Sequence, residues 1–105
     1  MRLGFVELSV LACALVPSAA FSQSLNGAML GNTCAGCHGT LGHAENAKIP
    51  PLAGLDAAQF TATMRAYRDG SQSGTIMNRV ARAYSDAEID AMAAYFASLP
   101  KQTNE

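Results

Sequence analysis

The sequence predicts a small all-α domain in which short helices alternate with long loops. Alanine is abundant in the 105 residues, and the alternating β-branched runs that are typical of strands are missing. Several segments carry apolar residues at i, i+3, i+4 and i+7 beside helix-capping signals. Long loops in so short a chain usually wrap around something. We therefore expect three to four helices around a bound group.

The N-terminal segment, residues 1–22, is predicted to be a cleaved signal peptide. It has a positive charge near its start and an apolar run over residues 8–16, followed by small residues that fit cleavage after Ala20 or Ser22. The run is too short to span a bilayer. Residues 23–105 then form a single domain, which we expect to be exported to the periplasm.

Cys13 lies within the apolar run, in the stretch "VLAC", which resembles a lipoprotein cleavage box. Lipidation there would anchor the protein to a membrane. The apolar run continues as far as Val16, so we favour an ordinary signal-peptide residue and keep the lipid anchor as an alternative.

Removing the signal peptide leaves about 83 residues. A core built from so few residues gives marginal stability unless a cross-link or a cofactor adds to it. Cys34 and Cys37 are the cysteines that remain. A disulfide between them would close a very small loop and constrain little of the unfolded chain. A bound cofactor is therefore the expected source of the additional stability. The net charge of −1 and the absence of a basic block give no indication of nucleic-acid binding.

The first predicted helix covers residues 24–34. Its expected apolar stripe is Leu25, Ala28 and Met29, and Gly27 offers a flat point for close packing. A glycine-marked loop should follow, at Gly36, Gly39 and Gly42. Pro50 and Pro51 then predict an extended or turn-like segment.

The second helix is predicted to begin at Asp56, which has capping-box spacing to Gln59, and to stop at Gly70. Its apolar face would be Phe60, Met64 and Tyr67. Residues 71–75 predict a flexible loop. A short helix carrying Val80, Ala81 and Tyr84 should come next.

The last helix has the clearest sequence signals. Ser85 and Glu88 form a capping box, and Pro100 ends the segment. The apolar face is predicted to be Ile89, Met92, Ala93 and Phe96.

The stretch "CAGCH" is compatible with four chemistries. Structural zinc needs four ligands, and the second ligand pair is missing. A redox dithiol would need a βαβ context, and a plain disulfide leaves His38 unexplained. Covalent haem explains every position, because Cys34 and Cys37 can bond the two vinyl groups and His38 then lies under the iron. One motif predicts one haem c.

Met77 is the candidate for the other face of the iron. It follows the glycine-containing loop "SGTI" and lies off the predicted helical stripes, whereas Met64 and Met92 lie on them and are expected in the core. His43 is too close to His38 in the chain to reach the opposite face. Axial ligation by His38 and Met77 would raise the reduction potential and close the iron to substrates. We therefore expect an electron carrier that catalyses no reaction of its own.

The segments "CAGCHGT", "IPPLAGL" and "TMRAYRDG…SGTIMNRVARAYSDAEIDAMAAYFASLP" together resemble a class I c-type cytochrome, and are similar to the cytochrome subunit of flavocytochrome c sulfide dehydrogenase. The resemblance implies that the carbonyl of Pro50 accepts the outer ring proton of His38. It also implies a crossing of the first and last helices at Gly27 against Tyr95 or Phe96. A sulfide-oxidising flavoprotein subunit is the implied partner. Many such subunits carry two haem domains, whereas this chain has one motif. A freely diffusing carrier is therefore kept as an alternative.

Two arginine pairs at i, i+3 spacing, Arg65 with Arg68 and Arg79 with Arg82, have two explanations. Solvated helix faces are the favoured one, and contacts of Arg79 and Arg82 to haem propionates or to an acidic partner are the other. A rival function also stays open, in which Met77 dissociates and the iron senses a small ligand.

Overall fold

The computed structural model describes residues 24–103, and the predicted signal peptide and Cys13 lie outside them. This part of the chain contains helices and no strand, which confirms the all-α prediction. There are five α-helices and one 3₁₀ turn, more than the predicted three to four. They are α1 (Gly27–Asn32), α2 (Ala35–His38), the 3₁₀ turn (Thr40–Gly42), α3 (Ala57–Asp69), α4 (Met77–Ala81) and α5 (Asp86–Ser98). None of the helices in residues 24–103 combines the length and apolarity of a membrane span.

The core lies where α5 packs against α1 and α3, with α4 closing it against α3. Ile89, Met92 and Phe96 of α5 are fully buried. The ring of Phe96 stacks on Phe60 of α3 with centroids 5.6 Å apart. The buried cluster consists of Phe60, Met64, Ala81, Ile89, Met92, Ala93 and Phe96. The predicted apolar faces of the second and last helices are thus confirmed.

Side-chain caps fix the starts of the two long helices. The Ser85–Glu88 capping box at α5 forms in both directions, as predicted. At α3, the Asp56 carboxylate accepts the backbone N–H of Gln59 at 2.9 Å. Gly70 ends α3 in the left-handed conformation that glycine adopts without strain.

The predicted bounds and the predicted stripe of the first helix are wrong. Asn26 caps the start of α1 by accepting the N–H of Met29. The helix ends at Asn32, where the hydroxyl of Thr33 donates a hydrogen bond to the carbonyl of Leu30. Leu25 and Met29 are 48% and 70% exposed. The face that packs on α5 carries glycines instead, because only they allow the close approach described next.

Gly27 and Gly31 let the backbones of α1 and α5 touch. A Cβ at Gly27 would overlap the carbonyl oxygen of Ala91, and one at Gly31 would lie 2.6 Å from Cδ1 of Tyr95. The expected crossing of the first and last helices is therefore present. Gly31 meets the aromatic ring, whereas Gly27 meets mainly the α5 backbone.

Substituting Gly27→Ala should lower the free energy of unfolding by about 1–3 kcal/mol, because the added methyl pushes the two helices apart. Gly36→Ala is the matched control, since nothing lies within 4 Å of a Cβ at Gly36. Urea unfolding of the holoprotein measures both. An equal loss at Gly36 would mean that backbone freedom, and not the close crossing, makes glycine necessary.

Ion pairs join α3 to α5 on the exposed side of the core. Nε of Arg65 lies 3.3 Å from a carboxylate oxygen of Asp86, and its terminal nitrogen lies 3.4 Å from one of Asp90. Arg68 also pairs with Asp86 and donates to the carbonyl of Tyr84 at 3.2 Å. The hydrogen bond from Arg68 is the main cause that holds the pKa of Asp86 below its ordinary value.

Substituting Asp86→Asn should lower the melting temperature at neutral pH. A carboxyl whose folded pKa is depressed stabilises the fold above its unfolded pKa of about 3.9 and loses that effect as the pH falls through the lower folded value. The difference from wild type should therefore vanish in strong acid. Glu45→Gln, which removes a carboxylate without an ion pair in residues 24–103, should follow wild type throughout. A difference for Asp86→Asn that persists in strong acid would contradict the ion-pair explanation.

Candidate haem-binding site

The "CAGCH" stretch forms one helical turn and not the loop that was predicted. Cys34 is the N-cap of α2, and its carbonyl accepts the N–H of His38 at 2.9 Å. Cys34 and Cys37 are not joined in a disulfide, and Cys34 is half-buried while Cys37 is exposed. Burial raises the pKa of the Cys34 thiol. A redox dithiol needs a lowered pKa at its attacking thiol, and the raised pKa of Cys34 gives no support to that role.

His38 is buried, and a hydrogen bond orients its ring. Nδ1 lies 2.7 Å from the carbonyl oxygen of Pro50. A carbonyl can only accept, so Nδ1 donates its proton to Pro50, and in the neutral tautomer Nε2 is then the nitrogen with the free lone pair. No hydrogen bond engages Nε2 within residues 24–103. A neutral imidazole oriented in this way is suited to bind a metal through Nε2.

The turn that carries Pro50 is itself fastened to the rest of the fold. The N–H of Leu52 donates to the carbonyl of Gly42 at 2.8 Å, and the N–H of Gly54 donates to the carbonyl of Phe96 at 2.8 Å. The second bond ties the turn to α5. The position of the His38 ring therefore depends on the C-terminal helix, although the two are far apart in sequence.

The chain after α5 covers the same region. Lys101 packs so closely on Gly54 that a Cβ there would lie 2.5 Å from its Cγ. Nε2 of Gln102 donates to the carbonyl of Ala44 at 2.9 Å. The C-terminal residues thus hold both the Pro50 turn and the loop that leads to it.

The loop before Met77 is fixed by the side chain of Asn78. Oδ1 of Asn78 accepts the N–H of Gly74 at 2.8 Å, while Nδ2 donates to the carbonyls of Tyr67 at 2.8 Å and Gln72 at 2.7 Å. The predicted loop is therefore clamped to the end of α3. Sequence reasoning missed Asn78, and its position next to the candidate ligand was the available signal.

Met77 is the first residue of α4, which carries Val80 and Ala81 as predicted but ends before Tyr84. Its side chain is half-buried against the core cluster, and Cys34 packs against that same cluster. Met64 and Met92 are buried core residues, as predicted, and His43 is an exposed loop residue. The candidate ligand Met77 and the cysteine turn thus border one apolar region.

These donors fit covalent haem better than zinc. Within residues 24–103, no three His, Cys, Asp or Glu side chains converge as ligands of a metal ion. Two free thiols one helical turn apart and an adjacent oriented imidazole match what haem c attachment requires. The assignment of Cys34, Cys37, His38, Met77 and Pro50 to haem is a prediction that this fit supports.

A second contact fastens the cysteine turn from its N-terminal side. The hydroxyls of Thr33 and Tyr84 are 2.6 Å apart. Since Arg68 holds the carbonyl of Tyr84, this link joins the residue before Cys34 to the α3–α5 ion pairs. Tyr84 therefore has a structural role that the sequence left open.

The helical fold and the cysteine–histidine turn define a small domain of the covalent-haem class. A family model described as Cytochrome c matches residues 25–100. The chain belongs to the cytochrome c family, whose members bind haem c covalently, and it is an electron-carrier domain and not a catalyst.

Several relatives have names from sulfur-compound oxidation. The chain is 40% identical over 76 residues to a thiosulfate dehydrogenase electron acceptor of Stutzerimonas stutzeri (strain A1501), covering 69% of this chain and 35% of that relative. It is 35% identical over 78 residues to the cytochrome subunit of sulfide dehydrogenase of Chlorobaculum tepidum, covering 74% and 70%. It is also 38% identical over 69 residues to cytochrome c-554(548) of Halomonas halodenitrificans, covering 63% and 83%. The chain thus spans about a third of the thiosulfate relative and most of the other two.

Substituting Asn78→Ala should lower the free energy of unfolding by about 1–3 kcal/mol, because three backbone groups lose their partner. Hydrogen exchange should show faster loss of the Gly74 amide proton. Asn46→Ala is the matched control, because Oδ1 of Asn46 accepts one bond, from the N–H of Lys48, in an exposed turn. Unchanged protection at Gly74 would show that Asn78 does not hold the loop.

Proposed function

We propose that this chain is an exported, periplasmic carrier that moves one electron at a time through a single haem c. Cys34 and Cys37 would hold the haem by thioether bonds, and His38 and Met77 would be the axial ligands. The observation that carries the proposal is the buried His38 ring, oriented by Pro50 directly after two free cysteines. When bound, haem c supplies an iron that alternates between Fe(II) and Fe(III).

His38 and Pro50 act as a unit in this proposal. The Nδ1–H···O bond fixes the tautomer and prevents rotation of the ring, and it makes Nε2 a stronger donor. Because the Pro50 turn is tied to α5, the ring would keep its place in both oxidation states. A ligand that does not move keeps the reorganisation accompanying electron transfer small.

Met77 gives the site its function in this proposal. A neutral thioether raises the reduction potential, and a ligand at this position excludes small molecules and substrates from the iron. The clamp by Asn78 supports a permanent contact, since the residues before Met77 are held by hydrogen bonds. This observation favours the carrier over a sensor in which the methionine leaves readily.

In this proposal the chain is the cytochrome subunit of a dehydrogenase that oxidises reduced sulfur compounds. The electron donor is the sulfide-oxidising flavoprotein subunit of the same enzyme. The named functions of the relatives from Chlorobaculum tepidum and Stutzerimonas stutzeri support this proposal. A freely diffusing carrier for another periplasmic enzyme is the alternative. Copurification from the native source would separate the two, since a bound flavoprotein would identify the subunit.

Holoprotein expressed with the haem-maturation machinery should show a narrow ferrous α-band and a weak near-infrared methionine–iron band, and should not bind carbon monoxide rapidly at neutral pH. Met77→Leu should abolish the near-infrared band, open the iron to carbon monoxide and lower the potential by a part of the roughly 0.8 V range that axial ligands set. Met64→Leu, a change to a buried core methionine, should keep the band.

Two outcomes would contradict the proposal. Absence of a Soret band would exclude haem altogether. Loss of the near-infrared band in Met64→Leu, with the band retained in Met77→Leu, would show that Met64 and not Met77 is the axial ligand.

A further inference from the structure

The loop that carries Pro50, residues 39–54, buries little of its own surface. In this segment, which we call the histidine loop because it follows His38, the buried residues are Gly42 and Ala53, and all others are half-buried or exposed. Apolar packing therefore does little to fix the carbonyl of Pro50. The position of this carbonyl must come from hydrogen bonds and close backbone contacts with the rest of the fold.

The histidine loop is bonded to the C-terminal part of the chain near each of its ends. The N–H of Gly54 donates to the carbonyl of Phe96 at 2.8 Å. Nε2 of Gln102 donates to the carbonyl of Ala44 at 2.9 Å. The first bond joins two backbone groups, which almost any residue supplies, whereas the second requires an N–H donor on the side chain at position 102. Gln102 is therefore the residue whose identity matters for holding the loop.

The bond made by Gln102 lies close to the backbone that follows the proposed haem ligand. A Cβ at Gly39 would overlap the carbonyl oxygen of His43 and would lie 3.3 Å from the backbone nitrogen of Ala44. Gly39 follows His38 directly in the sequence. The segment that Gln102 holds therefore packs against the residue next to His38.

We propose that Gln102 is a positioning residue for His38, and that its amide strengthens the bond between Nδ1 and the Pro50 carbonyl by holding the histidine loop. The proposal rests on the proposed electron-carrier function and deepens it by naming a residue that tunes the reduction potential. A strong Nδ1–H···O bond makes Nε2 a stronger donor, and stronger donation stabilises Fe(III) relative to Fe(II). Gln102 therefore lowers the potential, which is the opposite of the effect of Met77.

The amide of Gln102 uses its two ends unequally. Nε2 holds the loop, whereas Oε1 is buried and has no hydrogen-bond partner among residues 24–103. A buried acceptor without a protein partner gains nothing that offsets its desolvation. Methionine has a similar length and lacks this acceptor. Gln102→Met should therefore change the overall stability little, although it removes the bond to Ala44.

The test compares ferrous holoproteins of wild type, Gln102→Met and Gln102→Glu. Both variants lack the N–H donor, and glutamate keeps the shape of glutamine. In both, NMR should show that the His38 Nδ1 proton exchanges with D₂O about three- to ten-fold faster, as the loss of one hydrogen bond predicts. Voltammetry should show a raised midpoint potential in both, because Nε2 donates less strongly to the iron.

The matched control is Gln59→Met, the same substitution at an exposed side chain that makes no hydrogen bond within residues 24–103. It should keep the exchange rate and the potential of wild type. Equal changes in Gln59→Met and Gln102→Met would contradict the proposal, because the position of the glutamine would then not matter.

Three other results would overturn the proposal. Unchanged exchange and potential in Gln102→Met would show that the amide donor does not position the ring. Changes confined to Gln102→Glu would assign them to the new charge. Faster exchange matched by an equal rise in the unfolding equilibrium constant, measured in urea, would make Gln102 a residue of general stability only.

Failure of the electron-carrier function would give a different result. In that case wild type itself would show no Soret band after expression with the haem-maturation machinery, or no reversible one-electron wave. A wave that is present in wild type and identical in Gln102→Met would leave the carrier function intact and would remove the role of Gln102 alone. Faster Nδ1 exchange and a raised potential at unchanged stability support both.

Discussion

The hydrogen bond between the His38 ring and the carbonyl of Pro50 ties the histidine end of the cysteine turn to the rest of the fold. A short helical turn such as α2 has little stability of its own. Here it is fastened from both sides, by Thr33 to Tyr84 before the cysteines and by His38 to Pro50 after them. The Gly54–Phe96 bond then passes this constraint to α5.

α5 has a central position because it packs against two other helices and is also bonded to the Pro50 turn. Its buried face packs against α1 and α3, its C-terminal end holds the Pro50 turn, and its acidic side holds α3 through ion pairs. The close approach of α1 requires glycine at the crossing, since side chains there would separate the helices. The position of α5 therefore helps to set the position of the His38 ring. In this way a domain with a small core can still orient the ring.

The Met77 side of the site is organised differently. His38 is held through a backbone carbonyl, whereas the loop before Met77 is held by one side chain, that of Asn78. The surface around Met77 is also more exposed, with Ile76 beside it and two arginines that form no ion pair within residues 24–103. A buried side held through a backbone carbonyl and a more exposed side held by one side chain suit the proposed carrier, which would have to hold its haem and still meet a partner.

The sequence by itself predicted the haem chemistry and the long helices, because the signals for both are local. The spacing of Cys34, Cys37 and His38 indicates haem without reference to any other residue, and the caps at Asp56 and Ser85 act within one turn. The tertiary structure decided what depends on distant neighbours. It showed that Met29 is exposed while Gly27 and Gly31 pack, since burial on α1 is set by the approach of α5. It also distinguished the two arginine pairs, which are alike in spacing, because carboxylates from α5 reach one pair and not the other.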